Sequence, residues 1–121
     1  MTSRARFLLV DDSEDFLAAA TPLLESQGLE IAGSARTSAE ALELAATLEP
    51  DIALVDIELA DEDGVALAHE LRARSPSIKV VLISSYDRDD LGDVIPDSSA
   101  IGFLSKRSLG AAAIAELLGD S

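Results

Sequence analysis

Four apolar stretches of this chain each run into residues able to do chemistry. FLLV leads to Asp11 and Asp12, IALV to Asp56, VVLI to Ser84, and GFL to Ser105 and Lys106. Carboxylates brought close together repel one another, so they raise their pKa or gather a counterion, and a hard divalent cation with oxygen ligands is the usual answer. Magnesium (Mg2+) fits best, because it keeps several waters and uses only one or two carboxylates. Beside such a cation Asp56 would be a carboxylate nucleophile for a phosphoryl group. Lys106 would neutralise one phosphoryl oxygen and Ser84 would donate a hydrogen bond to another. A lone Asp at a strand end is more often a helix cap or a solvated loop residue. The joint occurrence of these residues at four strand ends is harder to assign that way, and Asp56 is the clearest case because the strand before it is apolar throughout.

For these residues to meet, the strands must run parallel and deliver their carboxyl ends to one rim. RFLLVD, EIAGSA, DIALVD, KVVLIS and IGFLSK read as five strands. LLV, IALV and VVLI show no polar alternation, which indicates burial on both faces and a parallel sheet covered by helices. The segment from Ser13 to Gln27 has an acidic first turn and stops at Gly28, and Pro22 within it predicts a kink or a delayed regular part. Thr37 and Glu40 form a capping box ahead of Ala41, Ala45 and Leu48, which share one face. Gly64 to Ser75 and Leu109 to Leu118 also read as helices. Between them, Asp87 to Ala100 holds Gly92, Pro96, Ser98 and Ser99, so its helix is weakly specified and short. Strand and helix alternating without a break predict an α/β fold, a doubly wound five-stranded parallel sheet that binds ligands beyond its strand ends.

The bulk properties narrow the function. A chain of 121 residues with 48% hydrophobic residues builds one core, and 3% aromatics leaves no base-stacking surface. A net charge of −14 repels nucleic acid phosphate and anionic membranes, so direct nucleic-acid binding is not expected. The absence of cysteine removes disulfides, thiolate catalysis and zinc-thiolate sites, and fits a reducing cytoplasm. MTSRARFLLVDD is no signal peptide, and no run approaches a membrane span. A cytoplasmic protein is the simplest reading.

FLLVDD, DIALVDIELADEDG, VVLIS and GFLSK, in this order, resemble the receiver domain of two-component response regulators over essentially the full chain, 1–121. The resemblance implies a flavodoxin-like (βα)5 fold and a switch that takes a phosphoryl group and loses it again without turning over free substrates. It makes Asp56 the phosphoacceptor and Asp11 and Asp12 the acidic pair that binds magnesium together with Asp56 and the backbone carbonyl of Glu58. Lys106 becomes the phosphate-contacting lysine, Ser84 the switch hydroxyl and Phe103 the switch aromatic three residues before the lysine. Glu58 and Tyr86 flank the site as candidate modulators. The implied partners are a histidine kinase or phosphotransfer protein upstream and a separate protein or fused output domain downstream. A homodimer through the face of the fourth and fifth helices is also compatible with it. Two departures stand out: Arg107 follows the lysine where the family often has a proline, and Leu59, Ala60 and Asp61 replace a common Met-Pro-Gly, while Gly64 is kept.

Other readings meet specific obstacles. Asp61, Asp63, Gly64 and Glu70 mimic part of an EF-hand calcium loop, but Leu59 would occupy the first ligand position and offers no side-chain oxygen. His69, the only histidine, reads as a solvated helix residue. A flavodoxin would need donors after its first strand, where this chain has the repelling DDSED. A haloacid dehalogenase-type phosphatase uses a second Asp two residues past the nucleophile, where this chain has Glu58, and it carries a cap domain. A protein-interaction domain that no longer needs phosphorylation would have lost some of the five functional residues, yet all five are competent here.

Overall fold

Parallel pairing follows directly from the apolar runs LLV, IALV and VVLI: each buries both faces, and no two of them are joined by a tight turn. The computed structural model describes residues 5–59, 62–84, 102–106 and 109–118. Five strands, β1 (Arg6–Val10), β2 (Glu30–Ala35), β3 (Ile52–Asp56), β6 (Lys79–Ser84) and β7 (Gly102–Ser105), form a parallel sheet in the order β2-β1-β3-β6-β7. Between β3 and β6 lies an antiparallel pair of two-residue strands, β4 (Glu58–Leu59) and β5 (Glu62–Asp63). Four helices are described: α1 (Glu14–Ser26), α2 (Ser38–Leu48), α3 (Gly64–Arg74) and α4 (Ala111–Leu118). None of the described helices is long and apolar enough to cross a membrane.

The alternation of side chains along each strand divides the core into two layers. Leu8, Val10, Ala53, Val55, Val80, Leu82 and Phe103 pack with Ala41 and Ala45 of α2 and Leu67, Ala68 and Leu71 of α3. Phe7, Leu9, Ile52, Leu54, Val81 and Ile83 pack with Leu17, Ala20 and Leu24 of α1 and Ile114 of α4. The doubly wound, five-stranded sheet expected from the sequence is therefore present. From β1 the chain moves outward to β2, then returns across β1 to β3, so the crevice at the carboxyl ends of β1 and β3 is the point where the winding reverses.

Helix ends follow their local chemistry. Ser13 caps α1 by accepting from the Phe16 N–H (3.2 Å). At its other end Leu29 N–H donates to Leu24 O and Gly28 N–H to Glu25 O, a Schellman motif whose positive φ of 93° falls on Gly28. Pro22 does not delay α1, which runs as one helix from Glu14 to Ser26. Pro22 and Ala18, whose carbonyl loses its amide partner, are both exposed, so water can satisfy that carbonyl. Thr37 Oγ1 accepts from Glu40 N–H (3.1 Å), while the Glu40 carboxylate accepts from Arg36 N–H (2.9 Å), one residue before the cap. The β4–β5 pair and α3 replace the EF-hand alternative: Glu70 lies inside the helix, and a strand, not a helix, comes before it. Tyr86, the weak helix of Asp87 to Ala100, the dimer face that would use it, and Arg107 lie outside the described residues.

Candidate functional site

Parallel strands place all their carboxyl ends on one rim, and the register sets which residues stand side by side there. Val10 pairs with Val55, so Asp11 emerges next to Asp56; Asp56 pairs with Ile83 and Ser84 with Ser105. One carboxylate oxygen from each of Asp11, Asp12 and Asp56 lies within 4.8 Å of the others. Asp11 is wholly buried and Asp56 is 5% exposed, whereas Asp12 is only partly covered.

The backbone fixes the two buried carboxylates. Asp11 Oδ1 accepts from Ser13 N–H (2.8 Å) in an Asx-type turn that leads into α1. Asp56 Oδ1 accepts from Glu58 N–H (3.1 Å), the first residue of β4. Gly64 packs directly on the Asp56 backbone, where a Cβ would collide with the Asp56 carbonyl oxygen. Its N–H donates to Ile57 O (2.9 Å), so α3 starts against the end of β3. This close approach explains why a glycine stands there.

Lys106, just past β7, reaches across the rim. Its Nζ lies 2.5 Å from Asp11 Oδ2 and 3.4 Å from Asp56 Oδ2. The ammonium also sits 4.3 Å from the centroid of the Phe16 ring. Burial pushes the Asp56 carboxyl up to about 6, against the lowering effect of the Glu58 N–H; the Asp11 charge raises it further and Lys106 opposes the rise. Burial acts to lower the Lys106 pKa, but its contacts with Asp11 and Asp56 outweigh that and raise it.

The remaining predicted residues fall around this centre. Ser84 is fully buried at the end of β6, the strand beside β3, and Phe103 is buried on β7 in the layer shared with α2 and α3. Glu58 is exposed and tied to Asp56 through its amide. His69 lies exposed on α3. The sequence reading missed Ser13 and Phe16. The signal for Phe16 was available: an aromatic in the first turn of α1, five residues after Asp11, in a chain where aromatics are 3%.

A family model described as the response regulator receiver domain matches residues 7–118. The chain belongs to this family. A receiver domain is a phosphorylation-dependent switch of two-component signalling, and the family binds magnesium at an acidic pocket like this one. Among curated relatives, the response regulator protein VraR of Staphylococcus saprophyticus is 33% identical over 70% of this chain and 41% of its own length. The protein-glutamate methylesterase/protein-glutamine glutaminase of Pseudoalteromonas atlantica is 33% identical over 84% of this chain and 27% of its own. The chain thus spans about a quarter to a third of the first of these longer relatives. Among solved structures, the signal receiver domain of the putative response regulator NarL from Mycobacterium tuberculosis has a TM-score of 0.82 at 29% identity, covering 98% of this chain and 96% of that one. A response regulator from Burkholderia pseudomallei, solved with a phosphorylated aspartic acid, calcium ion and citrate, has a TM-score of 0.80 at 25% identity over 93% of this chain and 66% of its own.

Proposed function

We propose that Asp56 accepts the phosphoryl group of this receiver domain, from a histidine kinase or phosphotransfer protein, and that residues 1–121 act as one receiver unit in the cytoplasm. The observation that carries the reading is the placement of a nearly buried strand-end carboxylate within reach of Lys106 and of two further carboxylates. One Asp56 oxygen attacks phosphorus, the bond from phosphorus to the donor's leaving nitrogen or oxygen breaks, and an acyl phosphate forms while the leaving group takes a proton. Lys106 offsets the charge that gathers on the phosphoryl oxygens, and Ser84 supplies a hydroxyl donor from the adjacent strand.

The donor set fits a hard divalent cation. Three carboxylates gather about a single ammonium, and burial with a neighbouring negative charge raises the Asp56 pKa, so the pocket holds net negative charge that a cation would offset. Asp11, Asp12, Asp56 and the backbone carbonyl of Glu58 would hold magnesium, with Asp12 a direct ligand and Asp11 acting mainly through water. The bound cation would supply further neutralisation of the phosphoryl oxygens. The calcium ion and phosphorylated aspartic acid of the Burkholderia pseudomallei relative support this assignment. Downstream, Phe103 and the segment between Ser84 and Ser105 report the phosphorylated state to a separate protein or a fused output domain, with Glu58 and Tyr86 as modulators.

Incubation with acetyl phosphate and magnesium, followed by intact mass measurement, tests the assignment. Wild type gains one phosphoryl group and Asp56→Asn gains none. Equal uptake by both would overturn it. Sustained hydrolysis of small phosphomonoesters, abolished by Glu58→Gln, would favour the phosphatase reading instead.

A further inference from the structure

The Lys106 ammonium is held from three directions, and the proposed function uses only two of them. Asp11 and Asp56 supply carboxylate oxygens, while the third neighbour is the face of Phe16. The position of that ring is set from the same aspartate that pairs with the lysine. Asp11 Oδ1 accepts from Ser13 N–H, Ser13 Oγ accepts from Phe16 N–H, the ring meets Lys106 Nζ, and Nζ returns to Asp11 Oδ2. The circuit is closed through the first turn of α1. Phe16 is partly buried and also packs against the core layer beneath α1, which fixes the ring relative to the sheet.

An aromatic face suits this position chemically. It attracts an ammonium through its quadrupole, yet it takes up no strong hydrogen bond, so the lysine N–H groups stay available to oxygen acceptors. A further carboxylate there would add negative charge to a pocket that already contains three. Lysine has a long, flexible stem, and rotamers that carry its ammonium away from Asp56 cannot help neutralise a phosphoryl group.

We propose that Phe16 is a positioning residue of the phosphoryl site, whose ring holds the Lys106 ammonium over the carboxylate cluster. This rests on the assignment of Asp56 and Lys106 given above. Phe16→Leu keeps apolar bulk and removes the aromatic face, whereas Phe16→Tyr keeps the face. Two measurements test the role. In NMR spectra, the ε-methylene protons of Lys106 are shifted upfield by the ring in wild type and in Phe16→Tyr, and lose that shift in Phe16→Leu. With acetyl phosphate and magnesium, phosphorylation slows about three- to fivefold in Phe16→Leu, the factor that a partly exposed cation–π contact is worth, and recovers in Phe16→Tyr. In a Lys106→Ala background the Phe16→Leu change has no further effect on the rate, which separates positioning from a general loss of packing. An unshifted Lys106 signal in wild type, or an equal slowing with and without Lys106, overturns the proposal. If wild type takes up no phosphate, the assignment of Asp56 fails, while the NMR comparison still decides the contact between Phe16 and Lys106.

Discussion

Two sets of carboxylates lie next to each other in this domain, one at the strand ends and one on the hairpin that follows them. Asp11 and Asp56 are buried, cluster with Asp12 and both pair with Lys106. Glu58, Glu62 and Asp63, on β4 and β5, are exposed. The hairpin oxygens do local structural work: Asp63 Oδ1 caps α3 by accepting from Val65 N–H (2.8 Å), and Glu62 Oε1 accepts from Ser38 N–H (2.8 Å) at the start of α2. Both sets carry the same charge per residue. Water screens the hairpin charges, whereas burial, and after it the neighbouring Asp11 charge, raises the Asp56 pKa. An acidic sequence therefore does not locate a reactive site; burial and convergence on a cation do.

The largest effect that would sharpen this contrast is expected from Lys106→Ala. Its loss leaves the Asp11 carboxylate wholly buried without its ion pair, which should cost about 3 kcal/mol in urea denaturation with chelator present. Magnesium should restore part of that. Asp56→Asn should act in the opposite direction. The folded-state pKa of Asp56 is raised from 3.8 to about 6, so folding holds its proton more tightly than the unfolded chain does. The associated stability is full below the unfolded value and disappears as pH rises through the folded one. In chelator the Asn variant should therefore be more stable than wild type by about 2 kcal/mol at neutral pH, with the gap closing as pH falls from about 6 to 3.8. A constant gap from acid to neutral pH would show that Asp56 is not the group responsible.

Smaller effects belong to the hairpin. Asp63→Ala removes a helix cap and should cost about 1 kcal/mol, with magnesium affinity and phosphate uptake unchanged. Glu62→Gln keeps an acceptor for Ser38 N–H and should change stability by less than about 0.5 kcal/mol. A hairpin substitution that weakens magnesium binding as strongly as Asp12→Ala, read by calorimetric titration, would break the distinction between the two sets.

Legibility differed between elements for physical reasons. Strands buried on both faces leave continuous apolar runs, so β1, β3 and β6 were readable, as was their termination in Asp11, Asp56 and Ser84. The Schellman end at Gly28 and the cap at Thr37 were readable too, because both are made by residues close in sequence. The β4–β5 pair was not. Its strands have two residues each, too short for any periodicity to register. The delayed start expected from Pro22 did not occur, because the cost of a proline inside a helix depends on whether the freed carbonyl meets water, which sequence does not state.

The sequence by itself determined the strand ends that carry Asp11, Asp12, Asp56, Ser84 and Lys106, and hence the rim on which they meet. Parallel α/β winding admits few alternatives once the apolar runs and their intervening helices are given. Only the tertiary structure decided that Lys106 pairs more closely with Asp11 than with Asp56, that Gly64 is required by contact with the Asp56 backbone, and that Phe16 lies against the lysine. Periodicity records which face of an element a residue occupies. The partner it meets there comes from an element distant in the chain, and only the packing of α1 and β7 about the sheet brings the two together.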